Sequence, residues 1–445
     1  MTQRIVGTIG TIESIASERR GVQDVVVRVA SLPSAKDYIV PSDSLLEKTL
    51  LETSEGTNSA SARQAINLIA LTGSVKPGDQ VILNTVAVEL RLGNDTRNIV
   101  AAILPSDKSE ESERSVSENR DSQKAAPLAP SPSTVGQICK LRGTPLQTSV
   151  TVVESSKSPY YETLCQFESL QEMPVVCAQL HSQLPAIVAG ARWALQQGNR
   201  ANPRIAFIMT EGGALPLAQS QLVEPLKERD WICATITSGQ AFGGDYECIN
   251  LYSALATACA VIKADMVVIC QGPGEVETGT PLGFSGIEQG QAINAVASLG
   301  GTAIAAVQVC FDDRQTEPRG LSRHSITVLG QITHASALVA LPQLPEEEMQ
   351  FLLGMINASN LAELHQPVIV MANRAFDKLQ ASNLMKSIQE EQRKAEPAES
   401  VSLESGRTAS RRNGSSRIED DRAFLLASCA AGVLAGQLLE SGIEE

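Results

Sequence analysis

The middle of the chain alternates between short, continuously apolar runs and longer segments with helical periodicity. The apolar runs are MPVVCAQL, RIAFIMT, WICATIT, ADMVVICQ, TAIAAVQVC, ALVALP and PVIVMA, and helical patterns such as LPAIVAGARWALQQ and YECINLYSALATACAVI stand between them. Strands without polar alternation are buried on both faces, and strand–helix–strand units cross over right-handed. Residues 135–389 are therefore predicted to form an α/β domain with a doubly wound, mainly parallel, Rossmann-like sheet.

The first 105 residues follow another pattern, in which short β-branched runs are separated by polar or glycine-bearing turns. The runs include RIVGTIGTIES, QDVVVRVAS, QVILNT and NIVAAIL, and Pro77-Gly78 suits a type II turn before one of them. Residues 1–105 are predicted to form a small all-β, barrel-like domain. We expect it to be an accessory or dimer-forming module.

Two polar stretches, residues 106–134 and 390–418, are rich in Ser and Glu and nearly free of large apolar side chains. Such segments bury too little surface to offset ordering entropy, so both are predicted to be disordered linkers or insertions. Residues 419–445 are predicted to form a helix that packs on the α/β domain, with Gly432 and Gly436 permitting close approach.

Composition narrows the function classes. Aromatic residues are only 3% of the chain, which favours aliphatic cores, and the formal net charge of -14 disfavours nucleic-acid binding. The nine cysteines are scattered without a C-x-x-C pair, as expected for buried thiols in a reducing compartment. Those in or beside apolar runs are Cys177, Cys233, Cys270 and Cys310. No signal segment or convincing membrane span is recognisable, so a cytoplasmic protein without membrane contact is expected.

Glycines and ionisable residues concentrate in the loops that follow the predicted strands, whereas the helix-to-strand connections are plain. Ligands of open parallel sheets bind beyond the carboxyl ends of the strands, and glycine lets backbone N–H groups approach an anion. The residues predicted to bind a ligand are Gly212, Gly213, Ser238, Gly239, Gln240, Gly243, Gly244, Gly272, Gly274, Thr278, Gly279, Thr280, Gly283, Ser285, Arg319, Arg323 and His181.

Three residues on the same edge are candidates for proton transfer: Glu211, Asp245 and His324. Each also has a plain interpretation, as a solvated turn residue, a helix N-cap and a surface histidine, respectively. Ser285 begins an S-x-x-E pattern and is equally suited to start a helix. Further carboxylates, Glu275, Glu277, Asp312 and Asp313, leave a metal open, but no ligand spacing demands one.

The loop sequences together resemble a bacterial family known only as a domain of unknown function (DUF3866). The stretches that carry the resemblance are LNTVAVEL, LHSQLPAIVAG, MTEGGALP, GQAFGGD, QGPGEVETGTPLGFSGIEQG and RGLSRHSITVLG. The family more often carries aspartate at the position of Glu211, so the resemblance does not assign that residue a metal or base role. It supports the fold and the choice of loops, and it implies no chemistry.

Three hypotheses follow. The first is an α/β enzyme that binds a small anionic or phosphorylated metabolite at the glycine-rich loops, without a phosphate-loop lysine motif or a nucleophile elbow. The second is a non-catalytic metabolite- or nucleotide-sensing protein, and the third is a scaffold that recruits partners through its polar segments. Cofactor identity and homo-oligomer formation are left open.

Overall fold

The computed structural model describes residues 7–19, 21–29, 61–85, 88, 97–105, 138–142, 144, 146–198, 202–311, 319–382, 384 and 422–441. The chain forms two compact units, Met1–Pro127 and Leu128–Glu445. Both polar stretches, the DYIV segment and the pair Asp312 and Asp313 lie outside the described residues.

The first unit is a closed five-stranded barrel with the strand order β1-β2-β3-β5-β4. All pairs are antiparallel except β3 with β5, which is parallel. Its core is aliphatic, with fully buried Val27, Val81 and Leu83. The elements are β1 (Gly7–Arg19), β2 (Val22–Val29), β3 (Ser61–Leu68), the short helix α1 (Ile69–Thr72), β4 (Gln80–Asn84) and β5 (Asn98–Ile103). The predicted barrel is confirmed.

The second unit is built on an eight-stranded, all-parallel sheet in the order β11-β10-β9-β12-β8-β13-β16-β17. Two small antiparallel pairs, β6–β7 and β14–β15, were not predicted. The strands are β6 (Ile138–Lys140), β7 (Thr148–Val150), β8 (Pro174–Ala178), β9 (Ile205–Thr210), β10 (Ala234–Thr237), β11 (Tyr246–Glu247), β12 (Met266–Gln271), β13 (Thr302–Ala306), β14 (Val309–Cys310), β15 (Gly320–Leu321), β16 (Leu338–Pro342) and β17 (Gln366–Val370).

Helices cover both faces of this sheet, as predicted for a Rossmann-like α/β domain. They are α2 (Tyr161–Cys165), α3 (Leu184–Gln197), α4 (Val223–Glu228), α5 (Leu251–Ala256), α6 (Glu288–Ser298), α7 (Arg323–Thr327), α8 (Glu346–Ala358), α9 (Leu361–Leu364), α10 (Asn373–Ala381) and α11 (Arg422–Ser441). Short π-helical segments, Thr257–Val261 and Val328–Ile332, extend α5 and α7.

The neighbouring strands β8 and β12 lead into helices on opposite faces of the sheet. Helix α3, after β8, packs with α10 and α11, whereas α6, after β12, packs with α5 on the other side. A crevice opens beyond the carboxyl ends of two strands whose connections diverge in this way. The topology therefore makes the space between the loops that follow β8 and β12 the candidate position for a ligand site.

The last helix, α11, completes one face of the sheet. Its residues Gly432 and Gly436 lie against α3 so closely that a Cβ atom on Gly432 would stand 1.9 Å from the Ile187 carbonyl oxygen. This helix is the one described segment long and apolar enough to cross a membrane, and 72% of its most apolar window is buried within the protein. The predicted close approach of the two helices is confirmed.

Two predicted helices begin later than their sequence patterns indicate. The segment YECINLYSALATACAVI starts with β11, and its helix begins at Leu251 with Asn250 as the N-cap. The segment after MTEGGALP forms only a 3-10 turn, Leu217–Gln219, and the short helix α4. Hydrogen bonds between side chains and the backbone near Asn250 stabilise a non-helical conformation there, although the sequence has helical periodicity.

Candidate functional site

The loops after β9 and β10 touch through Glu211. Its exposed carboxylate accepts a 2.8 Å hydrogen bond from the backbone N–H of Gln240. Gly239 has a φ of +64°, and a Cβ atom there would lie 2.4 Å from Glu211 Oε2. The glycine is therefore needed because a carboxylate of the chain itself occupies the space beside it.

The loops after β9 and β12 pack backbone to backbone. Gly213 has a φ of +74°, and a Cβ atom on it would stand 2.6 Å from the Gly272 carbonyl oxygen and 2.7 Å from that of Gly274. Gly212 donates its N–H to Glu288 Oε2 at 3.2 Å, and the N–H of Gly272 donates to the Gly212 carbonyl at 2.8 Å. These glycines permit loop-to-loop packing.

The second glycine pair of the loop after β10, Gly243 and Gly244, donates its backbone N–H groups to side chains of the protein itself. Gly243 donates its N–H to Glu247 Oε1 at 2.6 Å, and Gly244 donates to Thr237 Oγ1 at 3.2 Å. Buried Lys140 of β6 adds a 2.6 Å ion pair with Glu247 and donates to the Thr237 carbonyl at 3.3 Å. The sequence analysis missed this lysine, whose role is to fix the loop.

Asp245 lies apart from the rest of the predicted site. Its carboxylate forms an ion pair with Lys227 at 2.5 Å and accepts hydrogen bonds of 2.9 Å from both the N–H and the hydroxyl of Thr235. Burial opposes its charge, but these donors together hold the pKa of Asp245 below its usual value. It caps no helix, since the next one begins at Leu251. These contacts give Asp245 a structural task.

His324 and Arg323 lie where α7 meets the loop after β12. Arg323 forms an ion pair with Glu277, and His324 Nε2 lies 3.3 Å from the same carboxylate. That histidine contact is not aligned as a hydrogen bond. The buried His324 ring stacks on Phe284 with 4.1 Å between centroids. The rim thus continues from the β12 loop to α7.

The loop after β12 folds back as a hairpin, bridged between Glu277 and Phe284. Ser285 Oγ accepts the Val276 N–H at 3.0 Å and starts a 3-10 turn, Ser285–Ile287, before α6. The expected capping box is not formed, because the side chain of Glu288 bonds elsewhere. Five predicted residues belong to this hairpin: Thr278, Gly279, Thr280, Gly283 and Ser285.

Three other predicted residues have internal contacts. His181 is buried, with Nδ1 3.2 Å from the Gln271 carbonyl oxygen and Nε2 2.7 Å from Ser220 Oγ. Burial lowers the pKa of His181 to about 4, so it is neutral at pH 7. Ser238 is buried behind its loop, and the Arg319 guanidinium lies 5.7 Å above the Phe311 ring centre.

A group of polar side chains that the sequence analysis did not select lies where the topology opens the crevice. We call this narrow gap the glutamine crevice; it is lined by Ala178, Gln179, Thr210, Ile269, Cys270, Gln271, Gly286, Glu288, Gln289 and Ala292. Gln271 and Thr210 are register partners at the ends of β12 and β9, and Gln179 follows β8. The gap does not admit a water-sized sphere, so entry of a ligand requires lining side chains to move.

Several buried amide atoms at this edge lack a hydrogen-bond partner among the described residues. They are both amide atoms of Gln179, the Oε1 atom of Gln271 and, one strand further, the Nε2 atom of Gln308. Gln179 is only 1% exposed and Gln271 only 2%. Each buried polar group left without a partner costs about 1–3 kcal/mol, so the cluster calls for an explanation in function.

Glu288 supplies the carboxylate of the crevice. Its Oε2 atom accepts the Thr210 hydroxyl at 2.5 Å and the Gly212 N–H at 3.2 Å. Burial is the largest cause that raises the pKa of Glu288, although these two bonds oppose it, and the charge of Glu211 adds to the rise. A carboxyl with a raised pKa can exchange a proton more readily near neutral pH.

No carboxylate cluster in the described ranges is arranged for a metal. Groups of three or more His, Cys, Asp or Glu side chains able to hold a metal ion are not found among these residues. The nine cysteines are free, with Cys177, Cys248, Cys270, Cys310 and Cys429 buried. The prediction of a buried thiol is wrong for Cys233, which borders the apolar strand β10 and is exposed.

A family model described as "Protein of unknown function (DUF3866)" matches residues 64–398, which is more than half of the 445 residues. The chain belongs to this family. The DUF3866 match spans all eight strands of the parallel sheet and the whole glutamine crevice, and it confirms the resemblance carried by the loops. No curated protein and no solved structure matches this DUF3866 chain significantly.

A signal for the crevice was nevertheless present in this DUF3866 sequence. Three apolar strands each run into a glutamine: Gln179 after VVCA, Gln271 at the end of MVVICQ and Gln308 shortly after β13. Parallel strands in register bring such positions to one level of the sheet edge. The prediction selected the outer loops because they contain glycines and charged residues, whereas the glutamine crevice is marked by uncharged side-chain amides.

Proposed function

We propose that the α/β domain is an enzyme that binds a small polar metabolite in the glutamine crevice. The observation that carries the proposal is the set of unpartnered amide atoms on Gln179 and Gln271, at a point where strand connections diverge. A ligand that hydrogen-bonds these atoms would recover the free energy their burial costs. Glu288, beside them, is the residue we assign to proton transfer.

The sequence predicts an anionic or phosphorylated ligand cradled by glycine N–H groups. The structure weakens the argument for an anionic ligand, because the chain's own carboxylates already accept hydrogen bonds from several of those backbone N–H groups. Gln240 donates to Glu211, Gly212 to Glu288, and Gly243 to Glu247. The proposal therefore keeps the small ligand and the strand edge, and moves the binding groups inward to the crevice.

A thermal-shift screen of the full chain tests the proposal. The compounds are nucleotides, sugar phosphates, organic acids, amines and divalent ions, each against wild type and Gly212→Ala. The new Cβ would lie 2.7 Å from Gln271 Oε1 and 3.0 Å from Glu288 Oε2, so it narrows the crevice, and both side chains can give way. Gly354→Ala, whose Cβ would meet no atom within 4 Å, is the matched control.

A ligand at one hundred times its Kd stabilises the folded state by about 2.7 kcal/mol. We expect one compound class to raise the Tm of wild type and Gly354→Ala and to leave that of Gly212→Ala unchanged. Equal stabilisation of all three proteins, or of none, would overturn the proposal.

The sensing hypothesis remains as the second candidate, because the barrel forms a compact unit separate from the α/β domain. Incubating the stabilising compound with the full chain and analysing products by mass spectrometry separates the two. Turnover by wild type that is lost in Glu288→Gln, even at a compound concentration that saturates the variant, supports the enzyme. Binding without turnover supports the sensor.

A further inference from the structure

The charges around the glutamine crevice are of one sign. Glu288 lines it, and the carboxylates of Glu211 and Glu275 stand on the loops that flank it. Within the described part of the chain, no lysine or arginine lines the crevice, and Arg323, on the adjoining α7, is paired with Glu277. Among the described residues that line the crevice, an anion would meet the Glu288 carboxylate and no compensating lysine or arginine.

The amide orientation of Gln271 is set by its neighbour. Its Nε2 atom donates to the Gln179 carbonyl at 3.1 Å, so its Oε1 atom must face the other way, toward Gly212. Glu288 Oε2 approaches the same glycine, and the two oxygens would lie 2.7 and 3.0 Å from a Cβ atom there. The crevice therefore places Gln271 Oε1, which lacks a partner among the described residues, close to the Glu288 carboxylate, and this acceptor oxygen calls for a hydrogen-bond donor.

Two kinds of cation, a metal ion and an organic cation, can be compared as ligands for these acceptor oxygens. A bound metal ion needs several ligand atoms around one point, and no group of three acidic, cysteine or histidine side chains provides this among the described residues. An organic cation spreads its N–H donors over several ångströms, which fits acceptors that stand on different strands.

We infer that the glutamine crevice binds a small organic cation with N–H donors, a primary amine or a guanidino group. The inference rests on the proposed function and specifies the ligand class of the same site. The cation's N–H groups donate to Gln271 Oε1, Gln179 Oε1 and the Glu288 carboxylate. Its positive charge is balanced by Glu288 and the neighbouring Glu211.

Ligand-observed NMR with the full chain tests this inference, using methylguanidine and ethylamine as cationic probes, acetamide as a neutral probe, and acetate and inorganic phosphate as anionic probes. We expect a cationic probe to bind wild type and Gly354→Ala, and to bind at least tenfold more weakly to Gly212→Ala and to Glu288→Gln. Binding should also strengthen as the pH rises and Glu288 ionises.

The possible outcomes distinguish this inference from the proposed function. If acetate, phosphate or acetamide binds in preference to both cations and Gly212→Ala abolishes that binding, the crevice is a ligand site and the cation assignment is wrong. If no probe distinguishes wild type from Gly212→Ala, and the compound screen shows the same, both proposals fail. Retained cation binding in Glu288→Gln overturns the role given to that carboxylate.

Discussion

Replacing Gln179 with methionine should make the protein more stable. Both amide atoms of this 1% exposed side chain lack a partner among the described residues, and each such group costs about 1–3 kcal/mol. Methionine is of similar length, needs no hydrogen bond and repacks for less than about 1.5 kcal/mol. We expect a net gain of about 2 kcal/mol, which raises the Tm by about 4–8 °C in a domain of this size.

Gln289 is the matched control, because it is also buried in the wall of the crevice but its Nε2 atom has two hydrogen-bond partners. Its Nε2 atom donates to the carbonyl oxygens of Cys177 and Ala306, both at 2.8 Å. Gln289→Met loses two hydrogen bonds worth about 1 kcal/mol each, so it should lower stability by about 2 kcal/mol. The same chemical change thus has opposite signs at two neighbouring positions.

Urea denaturation of the full chain measures both variants, with the change in Cm read at constant m. Ligand binding should be lost in Gln179→Met together with the gain in stability, as expected where function requires a destabilised site. If Gln179→Met lowers Cm as Gln289→Met does, the amide of Gln179 is satisfied in solution, and the argument for the crevice is refuted.

Three further changes test the structure. Gly432→Ala should lower the free energy of unfolding by about 1–3 kcal/mol, because its Cβ would lie 1.9 Å from a carbonyl oxygen of the facing helix. Gly354→Ala, whose Cβ would meet no atom within 4 Å, should not lower it, and thermal unfolding measures both variants. Lys140→Met should lower the free energy of unfolding by about 3–5 kcal/mol, because it leaves the Glu247 side chain, which is 13% exposed, without its cation. Combining Lys140→Met with Glu247→Gln should recover part of this loss, as measured in urea. The pKa of His181 is about 4 in the folded chain and 6.5 in the unfolded chain. Neutral His181 therefore contributes about 3 kcal/mol to the free energy of unfolding above pH 6.5, and this contribution is lost as the pH falls to 4. The dependence of the free energy of unfolding on pH should be weaker in His181→Gln.

The architecture could be predicted because it depends on periodicity, which local sequence contains. Apolar runs such as MVVICQ and AFIMT match the fully buried strands β12 and β9, and strand–helix alternation determines a parallel sheet. The loops after β9, β10 and β12 lie at one edge of the sheet because these strands are parallel, which follows from that topology alone. The barrel was equally predictable from its short strands and turns.

Side-chain partners could not be predicted, because they join residues far apart in sequence. Ser285-x-x-Glu288 reads as a local capping box, yet Glu288 turns to Thr210 and Gly212, more than seventy positions earlier. Asp245 reads as an N-cap, yet Lys227 and Thr235 hold it. A local motif states what a side chain can do, and the tertiary contacts decide which of its options is used.

The same reasoning explains why the expected ligand changes sign between sequence and structure. A glycine loop exposes N–H groups, and in the sequence those groups indicate an anion. In the folded chain the anions are Glu211, Glu247 and Glu288, which reach the loops from other elements and use the N–H groups. Once these carboxylates are in place, the rim is acidic and the acceptors of the crevice face inward. We therefore expect the residues that would attract a phosphate in isolation to build a surface that attracts a cation.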